Sequence, residues 1–194
     1  KPASRDKEGR PLLSWRVHLL PYLNEQAIYD TFRLDEPWDS PHNSKLIEEI
    51  PEVFRLSREN RDGKTSVMLF VGDGTAFGDG TANLSLPDVV DGMSHTIMAV
   101  EAGADKAVPW TKPEDLTYDA ENPAAALGTI PPEGFWAVSF DGKPHLFPRD
   151  IDAALLKALI THDGGEPEPV GELARLRDEE VITQLIAEMG ARVT

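Results

Sequence analysis

The stretch FWAVSFDGKPHLFP, Phe135 to Pro148, is the part of the chain whose reading decides the fold. Two short runs rich in aromatic and β-branched residues flank Asp141-Gly142, a pair in which both residues tolerate positive φ. The stretch therefore predicts a β-hairpin turning at that dipeptide. Two further runs of the same character, TSVMLFVG (65–72) and HTIMAVEA (95–102), predict additional strands. Asp-Gly pairs at 62–63, 73–74, 79–80, 91–92, 141–142 and 163–164 each read as turns. The Pro-rich span 103–134 reads as an irregular excursion between strands.

Helical patterns lie on either side of this strand-rich centre. In SWRVHLLPYLNEQAIYDTFRL, Ser14 is placed to cap a helix, and Pro21 divides the pattern into pieces near 14–20 and 22–33. In DSPHNSKLIEEIPEVFRL, Ser40 caps, Pro41 opens the helix, and Pro51 ends it. DIDAALLKALITHDGGE predicts a helix capped by Asp150 and stopped by Gly164-Gly165. A last amphipathic helix is expected over about 171–189, beyond the linker-like EPEPVG. Helices, then strands, then helices make an α+β layout with an antiparallel sheet. The reading divides the chain into a domain over 1–169 and a helical extension over 170–194.

The 194 residues suffice for one domain with a real core. With 34 acidic against 19 Lys and Arg side chains, the net charge is -15, which repels phosphate backbones and argues against nucleic acid as a partner. The absence of cysteine excludes disulfides, thiolate catalysis and Cys-ligated zinc. No apolar run approaches the ~20 residues that span a bilayer. The chain begins at Lys1 rather than Met, so it reads as a fragment or processed form whose targeting segment would lie upstream.

The richest candidate for a ligand site is VGDGTAFGDGTAN, Val71 to Asn83. Gly72, Gly74 and Gly78 give G-x-G-x-x-x-G, one residue too long for the dinucleotide fingerprint, and no helical pattern follows. DGKTS at 62–66 ends like a phosphate loop, but Arg58 stands where that loop needs its leading Gly, and a strand follows where a helix is required. Calcium fits better: Asp73 and Asp79, with Asp88 or Asp91, could offer hard oxygens beside backbone carbonyls. The leading reading of the loop is nevertheless a pair of solvated turns. The histidines, His18, His42, His95, His145 and His162, lack the spacing that places two zinc ligands on one helical face. Ser94-His95 and Ser139 invite a hydrolase reading, yet there is no G-x-S-x-G elbow. Trp15, Trp38, Trp110 and Trp136 serve either as core or as stacking platforms for sugars, with Trp110 and Trp136 the candidates for ligand stacking.

Four strings in order, GRPLLSWRVHLLPYLNEQAIYDTFRLDEPWDSPHN (9–43), GKTSVMLFVGDGTAF (63–77), DVVDGMSHTIMAVEA (88–102) and AVPWTKPEDLTYD (107–119), resemble a large paralogous family typical of planctomycete bacteria. Its members are described as a domain of unknown function, as a prepilin-type domain with an H-x9-DG motif, or as solute-binding-protein-like. The resemblance spans roughly 9–166. It implies a pilin-like fold, a helix packed on an antiparallel sheet, behind an upstream leader and apolar helix that anchors the chain in the inner membrane or enters a filament. It brings no catalytic residue. Asp141-Gly142 matches the Asp-Gly of the naming motif, but Pro131 stands at the position of its His. The resulting expectation is a non-enzymatic, exported, pseudopilin-like domain with protein partners or self-assembly. A sugar- or small-molecule-binding module is the alternative, with a hydrolase behind it. No cofactor is expected beyond calcium.

Overall fold

The computed structural model describes residues 2–55, 62–79 and 89–164. The chain opens with an antiparallel hairpin of β1 (Ala3–Arg5) and β2 (Pro11–Ser14). The Ser14 hydroxyl then accepts from the Arg16 amide and caps α1 (Trp15–Leu19). Pro21, which has no N–H to donate, tightens the chain into a 3-10 turn over Leu20–Leu23. Asn24 ends this turn in the left-handed region at φ 62°, and α2 (Gln26–Tyr29) follows. Both helices are shorter than the pattern suggests.

The helix expected after Ser40 is a 3-10 helix, Asn43–Glu49. The expected cap shifts: His42, without a side-chain cap, flanks the helix, and Pro41 lies before it rather than at its first position, while the Ser40 hydroxyl accepts from the Asn43 amide at 3.1 Å. The fully buried Asn43 carboxamide accepts from the Arg33 amide and donates to the carbonyls of Arg33, Glu36 and Pro37. That ring of bonds holds the 33–40 turn against the helix start. Ile50, next to Pro51, is driven to extended ψ 124°, so the helix stops there.

The run expected as one strand over 65–72 is three short pieces: β3 (Lys64–Thr65), β4 (Val67–Met68) and β5 (Phe70–Val71). Each pairs elsewhere. β3 joins β7 (Val108–Pro109) antiparallel, β4 joins β6 (Ile97–Glu101) antiparallel, and β5 joins β8 (Leu116–Thr117) in parallel. The main sheet has the order β10-β9-β6-β4, with β9 at Phe135–Ser139 and β10 at Pro144–Phe147. The β9–β10 hairpin turns at Asp141-Gly142 as expected, with Phe135 opposite Phe147 and Gly142 at φ 81°.

The last described helix is α3 (Ala153–Ile160). Its cap is Asp152 rather than Asp150: the Asp152 carboxylate accepts from the Ala154 and Leu155 amides. It stops at Thr161, before the glycines, because Thr161 is extended and bridges Thr75. The helix expected over 171–189 and the 169/170 boundary lie outside the described residues.

Two hydrophobic clusters fill the interior. One holds Met68, Phe70, Ile97, Val100, Phe135 and Phe147 of the strands against Leu156, Leu159 and Ile160 of α3. The other holds Leu13, Val17, Leu20, Phe32, Ile50 and Phe54 around Trp110. The molecule is thus mixed α and β, with several small, mostly antiparallel sheets and few, short helices. Among the described residues no helix is long and apolar enough to cross a membrane.

Candidate functional site

The Gly-rich loop proves to be self-contained over its described part, 71–79. The Gly72 amide donates to the Gly78 carbonyl at 2.6 Å, and the Gly72 carbonyl accepts from both the amide and the hydroxyl of Thr75. The Gly74 carbonyl accepts from the amide of His162 and faces its Nδ1 at 3.0 Å. Gly74 and Gly78 have φ 76° and 53°, so these positions need glycine for the turn itself. Asp73 and Asp79 are both exposed, and among the described residues no three His, Asp or Glu side chains come close enough together to hold a metal ion. Asp91 is engaged otherwise, its carboxylate accepting from the Gly164 amide at 2.8 Å. Asp88 and residues 80–83 lie outside the described residues. The carbonyls of Gly72, Gly74 and Gly78, beside Asp73 and Asp79, thus all accept hydrogen bonds within the chain, and the loop is tied to the end of α3.

The β9–β10 hairpin brings together three residue types that can do nucleophilic chemistry. The Ser139 hydroxyl lies 2.5 Å from Asp141 Oδ1 and 3.1 Å from His145 Nε2. Ser139 and His145 both belong to the paired strands, and Asp141 sits in the turn. The order is wrong for a charge-relay triad, in which the imidazole stands between serine and carboxylate. Here serine stands in the middle. A hydroxyl has one proton, and a contact of 2.5 Å to a carboxylate commits it there. With its proton on the Asp141 side, the hydroxyl turns its oxygen rather than its proton to His145 Nε2, the reverse of a nucleophile with its base. The Ser139 hydroxyl and the Lys143 side chain beside Asp141 hold its carboxyl well below the usual range. Ser139 is also buried. The cluster closes the hairpin turn. His95, the partner suggested by Ser94-His95, has its amide bonded to the Gly92 carbonyl within the 89–95 turn.

The most elaborate polar group in the molecule is one the sequence patterns leave out. Arg16 is fully buried, and its Nη2 meets Asp115 Oδ1 at 2.9 Å, the two side chains being 0% and 3% exposed. Arg16 Nε donates to the Val67 carbonyl at 2.7 Å and Nη1 to the Ser14 hydroxyl at 2.8 Å. Asp115 Oδ1 also accepts from the Trp15 indole and from the Leu69 amide. The guanidinium lies 4.8 Å from the Trp15 ring centroid. Burial pushes the Asp115 carboxyl up and the Arg16 guanidinium down from their ordinary values, while the pairing opposes both shifts. The available signal is a lone Arg inside the apolar run LLSWRVHLL, where a charge must find a partner. Nothing local points to Asp115, 99 positions away.

The tryptophans divide. Trp110 is fully buried, edge-to-face with Phe32 at 5.7 Å and stacked on Phe54 at 6.3 Å. Its indole N–H donates to the Ile47 carbonyl. This enclosure in the core counts against Trp110 as a ligand-stacking platform. Trp136 on β9 is half-buried and sits opposite Leu146. Trp38 is half-buried with Lys112 Nζ 5.8 Å from its ring.

One cleft is lined by the β1–β2 hairpin and the 34–37 turn, with a volume of about 860 Å³. A second, of about 480 Å³, is lined by Glu25, Glu48, Glu49 and Glu52 with Ile28 and Ile50.

No curated protein and no solved structure matches the chain. Over residues 1–55, from the β1–β2 hairpin to just past the 3-10 helix Asn43–Glu49 and Pro51, the chain is similar to the family described as SBP_bac_10, protein of unknown function (DUF1559).

Proposed function

We propose that this chain is a non-enzymatic, exported, pseudopilin-like domain that acts in assembly or surface interaction through protein–protein contacts. The observation that supports this reading best is the wiring of Ser139. Where Ser139, His145 and Asp141 meet, they are connected as a turn brace rather than as a nucleophile with its base. The similarity over 1–55 is to a family of unknown function and adds no catalytic role. In this reading an apolar helix upstream of Lys1 anchors the domain in the inner membrane or places it in a filament, and the sheets and loops face the periplasm or the cell surface. A small-molecule or sugar module is the second reading, resting on the partly accessible Trp136.

The test is the gene and the location of its product. We expect an apolar segment with a prepilin cleavage site to be encoded before Lys1, and the native protein to fractionate with the envelope. A gene with neither, or a cytoplasmic product, overturns the proposal.

A further inference from the structure

We propose that Asp73-Gly74 is a site of spontaneous covalent modification, where the Gly74 amide nitrogen closes on the Asp73 side chain and the ring reopens as an isoaspartyl linkage. The reaction needs a carboxyl group and the next amide nitrogen, both unencumbered and within reach of each other. Every Asp-Gly pair offers these groups in sequence, and the fold withdraws them from most of the described pairs. Asp141 accepts from the Ser139 hydroxyl, and the Gly142 amide donates to the Ser139 carbonyl at 2.9 Å. Asp91 accepts from the Gly164 amide at 2.8 Å, a bond that engages both the Asp91 carboxylate and the amide of the Asp163-Gly164 pair. Asp62 accepts from the Lys64 amide at 3.0 Å, and Gly63 is buried. The pair at 73–74 differs. Asp73 is exposed, and its carboxylate has no hydrogen bond or ion pair among the described residues. The peptide that joins the two residues is free on both edges: among the described residues the Gly74 amide donates to no carbonyl, and the Asp73 carbonyl accepts from no amide. No hydrogen bond has to break before the nitrogen attacks.

The nitrogen–Cγ bond forms as the amide proton and the carboxyl hydroxyl leave together as water, and an aminosuccinyl ring joins the two residues. Water then adds to one of the ring carbonyls. Addition at Cγ restores aspartate. Addition at the Asp73 main-chain carbonyl breaks its bond to nitrogen, so that the main chain runs through Cγ and the α-carboxylate becomes the side group. No oxidant or reductant takes part. Gly74 has no Cβ to obstruct its own nitrogen, and its φ of 76° is one the turn requires. At Asp141 the Ser139 hydroxyl and the Lys143 side chain hold the carboxyl well below the usual range, so the neutral acid from which water leaves is scarce there. The isoaspartyl form carries an extra methylene in the main chain between two anchored points. The Gly72 amide is bonded to the Gly78 carbonyl, and the Gly74 carbonyl accepts from the His162 amide. The lengthened chain no longer matches both bonds, and the tie between this loop and the end of α3 loosens.

This chemistry is independent of where the protein resides and what it contacts. The full chain is kept at neutral pH, either folded or unfolded in guanidinium chloride, and sampled over weeks, with a zero-time digest as the blank. Chymotrypsin cuts after Phe70 and Phe77 and frees Val71–Phe77, in which Asp73 is the single acidic residue. Cleavage after Phe140 frees a peptide that begins at Asp141. The equal-mass isomers of each peptide are separated by chromatography and assigned by electron-transfer fragmentation. In the folded chain isoaspartate is expected to accumulate at Asp73 at least tenfold faster than at Asp141, and unfolding should bring the two rates within a few-fold of each other. Asp73→Asn loses ammonia more readily than aspartate loses water. It should raise the folded-state rate at position 73 at least tenfold without moving the initial melting midpoint, and the aged protein should melt lower than the fresh one. Equal rates at Asp73 and Asp141 in the folded chain, no isoaspartate at Asp73, or an Asp73→Asn chain that keeps its amide while folded and loses it only when unfolded would each overturn the proposal.

Discussion

At the scale of single residues, the Arg16–Asp115 pair has the highest stakes. Its two charges are out of water, and each satisfies several hydrogen-bonding groups of its neighbours. Removing one partner strands the other. We expect Asp115→Ala to lower the unfolding free energy by about 3–5 kcal/mol, measured in urea. The double variant Arg16→Met, Asp115→Leu should cost clearly less than the two single costs added, since both charges leave together. A loss below about 1 kcal/mol for Asp115→Ala would show that the carboxylate is solvated. His18 is a milder case with a pH signature. Its Nε2 is buried without a hydrogen-bond partner, and burial lowers its pKa from the ordinary 6.5. The unfolded chain then binds a proton more readily than the folded one. The stability contribution of neutral His18 is complete above about 6.5 and is lost as pH falls through the lower folded value. His18→Phe should flatten the stability profile between pH 7 and 5; an unchanged slope would assign that dependence to another group.

At the scale of elements, local chemistry decides the outcome wherever one dipeptide or one cap is enough. The β9–β10 hairpin turns at Asp141-Gly142, a signal contained in the dipeptide itself, and its register places Phe135 against Phe147. Two glycines of that hairpin should respond differently to substitution. Gly142 has φ 81° and open space around it, so Gly142→Ala costs only backbone strain, about 1–2 kcal/mol. Gly134 has φ 101°, and an added Cβ would collide with the Phe147 carbonyl oxygen. Gly134→Ala should cost more than Gly142→Ala by at least about 1 kcal/mol in urea melts, and equal costs would mean that the strand ends adjust freely. The loop at 71–79 allows a cleaner negative result. Its glycine carbonyls accept hydrogen bonds from Thr75, His162 and Gly72. Millimolar calcium should therefore leave the melting midpoint where a chelator leaves it. A rise of several degrees would restore Asp73 and Asp79 as ligands through ligand linkage.

At the scale of the whole molecule, the two clusters are joined by the segment 64–71, and this is where sequence patterns run out. TSVMLFVG has the composition of one strand, and composition carries no information about which neighbour takes each backbone group. Its pairing changes twice within eight residues, with β7, then β6, then β8, and the second change occurs where the Asp115 carboxylate takes the Leu69 amide. The same limit hides the Arg16–Asp115 contact: the buried Arg is legible in SWRVHLL, but its partner depends on the completed fold. Trp110 was ambiguous for a related reason, since an indole reads alike as platform or core until Phe32 and Phe54 are seen to enclose it. The arrangement has a consequence for unfolding. Met68 and Phe70 belong to the sheet cluster, while Val67 packs against the other, so neither cluster can open without disturbing the shared segment. Arg16 reinforces this by tying α1 to the Val67 carbonyl and to Asp115. The described residues should therefore unfold as one cooperative unit. Trp136→Phe leaves Trp15, Trp38 and Trp110, all in or against the second cluster, to report on it by fluorescence, while far-UV circular dichroism of the same protein follows the backbone as a whole. The two transitions in urea should coincide. Adding Asp115→Ala should weaken the coupling, so that the fluorescence signal moves to lower urea than the circular dichroism signal. Separate midpoints already present with Asp115 intact would show that the two clusters are independent units and that the ion pair does not join them.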